Sequence, residues 1–199
     1  LRANESGVVL VEEHLFFNQF RFHKRKLAFH RATMQYYLQL LLDKGIKVRY
    51  ITCSDQLSDI RQLIPQLAAE LDAESVFINH DYEPAAVARD RAVQQALASA
   101  GCQFFSFKDQ VIFERSEVLT GQGKPYSVFT PYKKAWLAKL DTFYLKPYPV
   151  ERYFAHLALS SLATGVPTLS QLGFEMTDLA QIGVVPGMHG ARGRVEDFL

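Results

Sequence analysis

The stretch Ser75–Phe107, SVFINHDYEPAAVARDRAVQQALASAGCQFFSF, decides the fold because a strand, a helix and a second strand follow one another in it. Residues 75–78 are typical of a buried strand. Residues 83–100 form the predicted helix, with Gly101 as its stop, and residues 102–107 form the next strand. This succession predicts a right-handed crossover between two parallel strands.

The same alternation continues towards the N-terminus. Its elements are a strand at 8–11, a helix at 24–44, a strand at 48–51 and a helix that opens at Ser54 or Ser58 and runs to Leu71. We therefore expect an α/β fold, a doubly wound parallel sheet of Rossmann-like or flavodoxin-like topology. No strand pattern precedes Gly7. We therefore expect the first strand of the fold to be missing and the given sequence to begin within a longer protein.

The pattern changes beyond the fourth strand. We expect a short extended piece at Glu117–Leu119, and then a helix with Thr130 as its N-cap and Pro131 in its first position, ending at Leu140. The remaining residues are irregular until a helix starts within 190–199. We therefore expect two parts, an α/β domain at 1–140 and a connector at 141–199.

Composition narrows the class of protein. The chain has 199 residues, of which 48% are hydrophobic and 22% charged, so it can bury a sizeable core. Its net charge of +1 predicts no global attraction to nucleic acid or membrane. Cys53 and Cys102 have no metal-like spacing and fit unpaired thiols in a reducing compartment. Without a membrane-spanning segment or signal peptide, we expect a cytoplasmic location and no membrane partner.

Motifs for common chemistries are missing from the sequence. No glycine-rich phosphate loop follows a strand, and no serine lies in a nucleophile-elbow context. The six histidines are scattered, and His23 and His30, although seven residues apart on one helical face, have no nearby carboxylate to complete a metal site. We predict neither catalytic nor metal-binding residues.

Binding candidates come from position, since ligands of open α/β sheets bind beyond the carboxyl ends of the strands. These ends are residues 12–14, 53–55 and 79–83. The third, Asn-His-Asp-Tyr-Glu, is the richest in hydrogen-bonding groups and suits a polar heterocycle. An alternative remains open, in which Asp81 or Glu83 only caps the helix that begins near Pro84.

Several segments together resemble the DNA photolyase and cryptochrome family. YSVFTPYKKAW, at 126–136, is similar to the family segment Y-x-V-F-T-P-(F/Y)-x-x-x-W, and INHDYEPAAVARDRAVQQAL, at 78–97, is similar to a family strand-to-helix passage. FKDQVIFERSEVLTGQGKPY, at 107–126, and the segment from Leu172 to Leu199 resemble a family loop and the connector before its flavin domain. The resemblance covers essentially the whole chain.

The resemblance implies a light-dependent protein. The parent family repairs pyrimidine dimers in DNA by electron transfer from reduced FAD, or uses that flavin for signalling. FAD and most DNA contacts belong to a helical C-terminal domain, which the resemblance implies as the partner of this chain and which is absent from it. The α/β domain carries, in many members, an antenna chromophore that is a folate, a deazaflavin or another flavin.

Two departures refine this expectation. The family's first strand with its W-F-R-x-D-L-R segment is missing, and Ala85 and Ala86 stand where folate-binding members have Asn-Glu. A flavin or deazaflavin is therefore favoured over folate, with Glu13, Asp81 and Glu83 as polar contacts to the chromophore. Trp136 is expected to be structural, since one tryptophan cannot form an electron relay.

The sequence leaves other functions open. The chain alone is not expected to repair DNA, although the parent family is a lyase. The alternatives are an interaction or vestigial module of the same fold that binds no chromophore, a cryptochrome light-sensor fragment, and a nucleotide-binding signalling domain of similar topology.

Overall fold

The computed structural model describes residues 6–12, 21–46, 48–51, 59–157, 170 and 177–199. The chain divides into unit 1, which comprises Leu1–Ser58 and Pro149–Leu199, and unit 2, which comprises Asp59–Tyr148. The elements in chain order are β1 (Val8–Val11), α1 (Lys24–Asp43), β2 (Val48–Ile51), α2 (Ile60–Glu70), β3 (Ser75–Asn79), α3 (Pro84–Ser99), β4 (Gln103–Phe107), α4 (Phe129–Lys139), two 3-10 helices (Glu151–His156 and Ala180–Ile182) and α5 (Gly187–Phe198).

Unit 1 is built on the parallel pair β1 and β2, which runs in register from Val8 opposite Val48 to Val11 opposite Ile51. The apolar face of α1 packs onto this pair because its leucines recur at helical spacing. The buried residues of this core are Leu38, Leu41, Ile46, Val48 and Tyr50.

Unit 2 is built on the parallel pair β3 and β4, which runs from Ser75 opposite Gln103 to Asn79 opposite Phe107. Helices α2 and α3 pack against each other, and α3 also contacts β4. The buried residues of this core are Ala68, Val93, Leu97 and Cys102.

The predicted α/β class with parallel strands is confirmed. The strands that the structure describes pair as β1 with β2 and as β3 with β4. In unit 2 the chain passes from β3 through α3 to the adjacent β4, which is the crossover that the opening stretch predicts. The crossover therefore brings the carboxyl ends of β3 and β4 to the same edge.

Several boundaries differ from the predicted ones. Helix α2 begins at Ile60 with Asp59 as its N-cap, whose Oδ1 accepts a hydrogen bond from the Arg61 amide at 2.9 Å. A capping carboxylate directly before the helix therefore takes the role that Ser54 or Ser58 was expected to play, and both serines lie outside the described residues.

The entry to α4 is also different. The N-cap position is Val128, which makes no side-chain capping bond, so the prediction of Thr130 as N-cap was wrong. Pro131 is the third helical residue, where it is tolerated because the first amides of a helix have no intrahelical acceptor. The expected extended piece at Glu117–Leu119 is likewise wrong, since the Glu117 amide donates to the Glu114 carbonyl in a turn at 2.9 Å.

Within the described ranges, no helix is both long and apolar enough to cross a membrane.

The packing of unit 2 predicts a stability difference between two leucines. Leu97 has no exposed area and Leu145 is 64% exposed. We expect Leu97→Ala to lower the free energy of unfolding by about 2–5 kcal/mol because it leaves a cavity. Leu145→Ala, the matched control, should change it by no more than about 0.5 kcal/mol.

Trp136 provides the measurement, since it is the only tryptophan in the sequence and lies in unit 2. Its fluorescence during urea unfolding therefore follows unit 2. Equal unfolding midpoints for the two variants would contradict the assignment of Leu97 to the core.

Candidate ligand-binding site at the carboxyl end of β3

A hydrogen-bonded group of four side chains lies where β3 ends. His80, the residue after β3, approaches Ser106 Oγ through Nδ1 at 2.9 Å and Glu114 Oε1 through Nε2 at 2.7 Å. Tyr82 donates its hydroxyl to the same Glu114 oxygen at 2.7 Å. The His80 amide donates to the Phe107 carbonyl at 3.0 Å, which continues the β3–β4 pairing by one residue. The strand pairing therefore positions the imidazole.

The chemistry of this group follows from its acceptors. An ionised carboxylate can only accept, so Nε2 of His80 donates to Glu114, and in the neutral ring Nδ1 accepts from the Ser106 hydroxyl. Although a serine, a histidine and a glutamate are aligned, Ser106 lies within a regular strand, not on a strand-to-helix elbow. We interpret the arrangement as one that orients the imidazole.

Electrostatics at Glu114 reflect the same contacts. The hydrogen bond from Tyr82, together with the nearby His80, lowers the pKa of the Glu114 carboxyl. Desolvation and the Glu114 carboxylate raise the pKa of Tyr82 to about 12. At neutral pH, Glu114 is therefore an anion that accepts two hydrogen bonds, and Tyr82 is a neutral donor.

The loop that carries Glu114 is fastened by ionic contacts. Lys108 Nζ lies 2.6 Å from Glu117 Oε2 and also donates to the Ile112 carbonyl at 3.0 Å. The hydrogen bond from Lys108 lowers the pKa of Glu117, so this pair remains charged at neutral pH. Lys139 of α4 donates to the Glu117 carbonyl.

An aromatic cluster attaches the same loop to α4. Buried Phe113 meets Trp136 edge to face, with ring centroids 5.3 Å apart, and meets Tyr144 at 4.7 Å. Trp136 therefore packs against the residue next to Glu114, which accords with the expected structural role of this tryptophan. By contrast, Phe129 at the start of α4 is 72% exposed.

Beside these groups lies a cavity of about 440 Å³, a size within the range of small-molecule sites. One stripe of α3, spaced three and four residues apart, forms a wall with Val87, Asp90, Arg91 and Gln94. The other lining residues are His80, Asp81, Tyr82, Phe104, Ser106, Glu114 and Arg115.

Asp90 carries an uncommitted acceptor in this wall. Its Oδ1 accepts from Arg89 Nε at 2.8 Å, whereas its Oδ2 is buried and has no hydrogen-bond partner in the described part of the chain. A buried acceptor of this kind costs free energy until a donor satisfies it.

The residues predicted from sequence have different positions. Asp81 lines the cavity, and its Oδ1 accepts from the Tyr82 amide at 2.6 Å and from the Glu83 amide at 3.4 Å. These bonds, the one from Tyr82 first, lower the pKa of Asp81. Glu83 occupies the N-cap position of α3 without a side-chain capping bond and is not among the lining residues. Glu13 lies outside the described residues.

Sequence reasoning missed Ser106, Glu114 and Arg115. Ser106 was counted only as part of a strand, and Glu114 and Arg115 only as part of a loop. Their contribution depends on the register of β4 and on the docking of the loop. A serine between two phenylalanines in the strand QFFSF is the one local signal at Ser106.

Unit 1 has its own polar cluster at the carboxyl end of β1. Glu12 and Arg31 form a buried ion pair, with Arg31 Nη1 2.9 Å from Glu12 Oε1, and Tyr50 of β2 donates its hydroxyl to the same oxygen. Desolvation and Glu12 raise the pKa of Tyr50. Burial is also the main cause that lowers the pKa of nearby His30. Glu12 is thus committed to its protein partners.

His23, the residue before α1, has a structural contact. His23 is the N-cap of α1 and accepts from the Arg25 amide through Nδ1 at 3.1 Å. A search of the described residues finds no group of three or more His, Cys, Asp or Glu side chains that could hold a metal ion.

The pKa of Glu114 predicts a pH dependence of stability. Because its folded-state value is lowered, its stabilisation is present above the unfolded-state pKa and is lost as the pH falls through the folded-state pKa. We expect Glu114→Gln to lower the urea midpoint at pH 7 and to weaken the loss of stability between about pH 5 and pH 3. Trp136 fluorescence would measure the urea midpoint at pH 7 and its change with pH.

Glu74→Gln is the control, since it makes the same chemical change at an exposed residue of unit 2. It should leave the pH profile of the parent unchanged. If Glu114→Gln kept the parent profile as well, the role given to this carboxylate would be wrong.

Comparisons with known proteins agree with the family resemblance of the sequence. The deoxyribodipyrimidine photo-lyase of Synechococcus sp. is 35% identical over 175 residues, which are 81% of this chain and 34% of that protein. The enzyme of the same name from Escherichia coli is 36% identical over 100 residues, 50% of this chain and 21% of that protein. The chain thus spans about a third of the length of the Synechococcus relative.

The fold also has a counterpart among solved structures. A bacterial class III photolyase from Agrobacterium tumefaciens superposes with a TM-score of 0.70 at 22% identity, covering 96% of this chain and 38% of the other. The sequence profile of the family described as DNA photolyase matches residues 7–152. The chain therefore belongs to the DNA photolyase family, and its α/β fold is that of the N-terminal domain.

Proposed function

We propose that this chain is an antenna domain, which holds a light-absorbing chromophore and passes excitation to the FAD of the protein to which the domain contributes. Membership of the family implies chromophore and FAD cofactors in general. The observation that carries the proposal is the cavity of about 440 Å³ at the carboxyl end of β3, where ligands of open α/β sheets bind.

The lining of the cavity suits a heteroaromatic ring. Gln94 offers a donor and an acceptor, the hydroxyl oxygens of Tyr82 and Ser106 offer acceptors, and Phe104 offers an apolar surface. Energy transfer requires a fixed position and orientation but no bond making, so hydrogen bonds and shape suffice. A flavin or deazaflavin carries an imide N–H, for which these side-chain oxygens are acceptors.

The domain division forms part of this proposal. Residues 1–140 supply the antenna domain, residues 141–199 form the connector, and the helical part that follows in the family supplies FAD and the contacts to damaged DNA. Light-driven repair is then a property of the whole protein, in the cytoplasm, and this chain contributes no catalytic residue. Among the residues singled out from the sequence, Asp81 lines this cavity and is its proposed contact to the chromophore.

Chromophore uptake tests the proposal. The purified chain, incubated with riboflavin, a deazaflavin or a folate and then desalted, should retain the visible absorption band of a flavin or deazaflavin. We expect Asp81→Asn to weaken this binding by about tenfold or more, because a charge-assisted hydrogen bond is lost.

Asp109→Asn is the control, since it removes an exposed carboxylate of unit 2 that does not line the cavity. It should bind like the parent. A colourless parent chain after incubation with every compound would refute the antenna function and leave a module of the same fold that binds no chromophore.

The surface around α4 suits the attachment of this domain to its flavin-binding partner. Exposed apolar side chains lie at both ends of α4 and in the residues that follow this helix. We call this group the α4 surface. Its members are Val128, Phe129, Leu137, Phe143, Leu145 and Tyr148, each between 52% and 81% exposed. We infer an interaction site from these exposed apolar side chains, and the relatives are long enough to include a partner domain.

A binding experiment tests this attachment. The chain is produced together with the rest of the Synechococcus photolyase as a separate polypeptide, and co-purification is measured. We expect Leu137→Asp to prevent co-purification because it buries a charge in the contact. Leu71→Asp, at another exposed leucine of unit 2, should not. If Leu137→Asp and Leu71→Asp were captured equally, the α4 surface would not be the attachment site.

A further inference from the structure

One face of the β3–β4 sheet carries three exposed phenylalanines. Side chains alternate between the two faces of a strand, and the pairing of Phe77 with Phe105 puts these two residues and Phe107 on the same face. The Phe77 ring is stacked with Phe105 at a centroid distance of 5.0 Å and with Phe107 at 6.4 Å. The three side chains are between 39% and 56% exposed. Phe77 is therefore the centre of an exposed group, Phe77, Phe105 and Phe107, which we call the aromatic face.

Helices cover the opposite face of the same sheet. Val76 and Phe104 pack against the buried core to which α2 and α3 contribute. Phe104 and Ser106 also line the cavity, so the cavity and the aromatic face lie on opposite sides of the sheet. Parallel sheets occur almost only with both faces covered. Within the residues that the structure describes, the aromatic face lacks such a cover.

The chemistry of the aromatic face limits what can cover it. The other positions on this side of the two strands are Ser75, Asn79 and Gln103, none of which carries a charge. Nucleic acids and anionic membranes are bound through lysine and arginine, which these positions do not supply. An uncharged surface of stacked rings fits an apolar surface of the same kind. A second copy of this chain offers one.

Two copies can meet without strong electrostatic repulsion. The net charge of the chain is +1, and the aromatic face adds no charge to the contact. A two-fold axis near Phe77 places identical rings against each other, so that each copy contributes the same residues. Sheets that pack face to face lie about 10 Å apart, with interdigitating side chains between them.

We propose that the aromatic face is the contact between two copies of this chain in a two-fold symmetric dimer. The exposed parts of the three side chains amount to roughly 300 Å² per copy, if a whole phenylalanine has about 200 Å². Stable interfaces bury about 800 Å² per partner, so this dimer is weak and forms reversibly. Because the cavity lies on the other side of the sheet, the dimer does not depend on the proposed chromophore function.

Sedimentation equilibrium at about 10 µM and about 500 µM protein tests this contact. We expect mostly monomer at the lower concentration and a substantial fraction of dimer at the higher one, because the contact is small. Phe77→Lys places two like charges near the symmetry axis and should raise the dissociation constant of the dimer by about tenfold or more. Phe77→Thr removes the ring but keeps a side chain suited to a strand, and should raise this constant severalfold.

Phe129→Lys is the matched control, since it makes the same change at another exposed phenylalanine of unit 2. It should leave the dissociation constant unchanged. Urea unfolding measured by Trp136 fluorescence verifies that each variant is folded. A parent chain that remains monomeric at both concentrations would overturn the proposal and leave the aromatic face to a different polypeptide. Self-association that persists in both Phe77 variants, or that only Phe129→Lys weakens, would overturn it as well.

Discussion

The parallel pairing of β3 with β4 is the constraint on which the rest of the site depends. Parallel strands require a crossover, here α3, and they bring their carboxyl ends to one edge. The His80 amide extends the pairing by one bond to Phe107, so the imidazole starts from a fixed backbone and meets Ser106 of the neighbouring strand. A slip of one residue in β4 would turn Ser106 to the opposite face and remove this contact.

The second requirement is that the loop after β4 returns to the same edge. Glu114 is the common acceptor of His80 and Tyr82, yet it comes from a segment without regular structure. Phe113 secures it by packing against Trp136 of α4. The aromatic segment that carries the strongest family resemblance therefore supports the polar cluster indirectly. Its Trp136 packs against the loop that supplies Glu114.

Sequence reasoning succeeded where the structure depends on residues that are close together in the sequence. Helical spacing and β-branched runs reproduced the strands and helices to within a few residues, and the strand-end rule singled out Asp81 and its neighbours. It failed at Thr130, a good capping residue that is the second residue of α4, two positions after the N-cap Val128. Glu114 was not predicted, since the side chains that it contacts, His80 and Tyr82, are 34 and 32 residues away in sequence, and Arg115 follows it in the same loop.

The contrast between the two polar clusters explains why the ligand is assigned to unit 2. In unit 1, Glu12 is buried with Arg31 and Tyr50, an arrangement that balances the cost of a buried charge within the protein. In unit 2, the corresponding strand end opens onto a cavity of about 440 Å³. The charged groups at the strand end of unit 1 are buried against one another, so ligand binding is assigned to the strand end that opens onto a cavity.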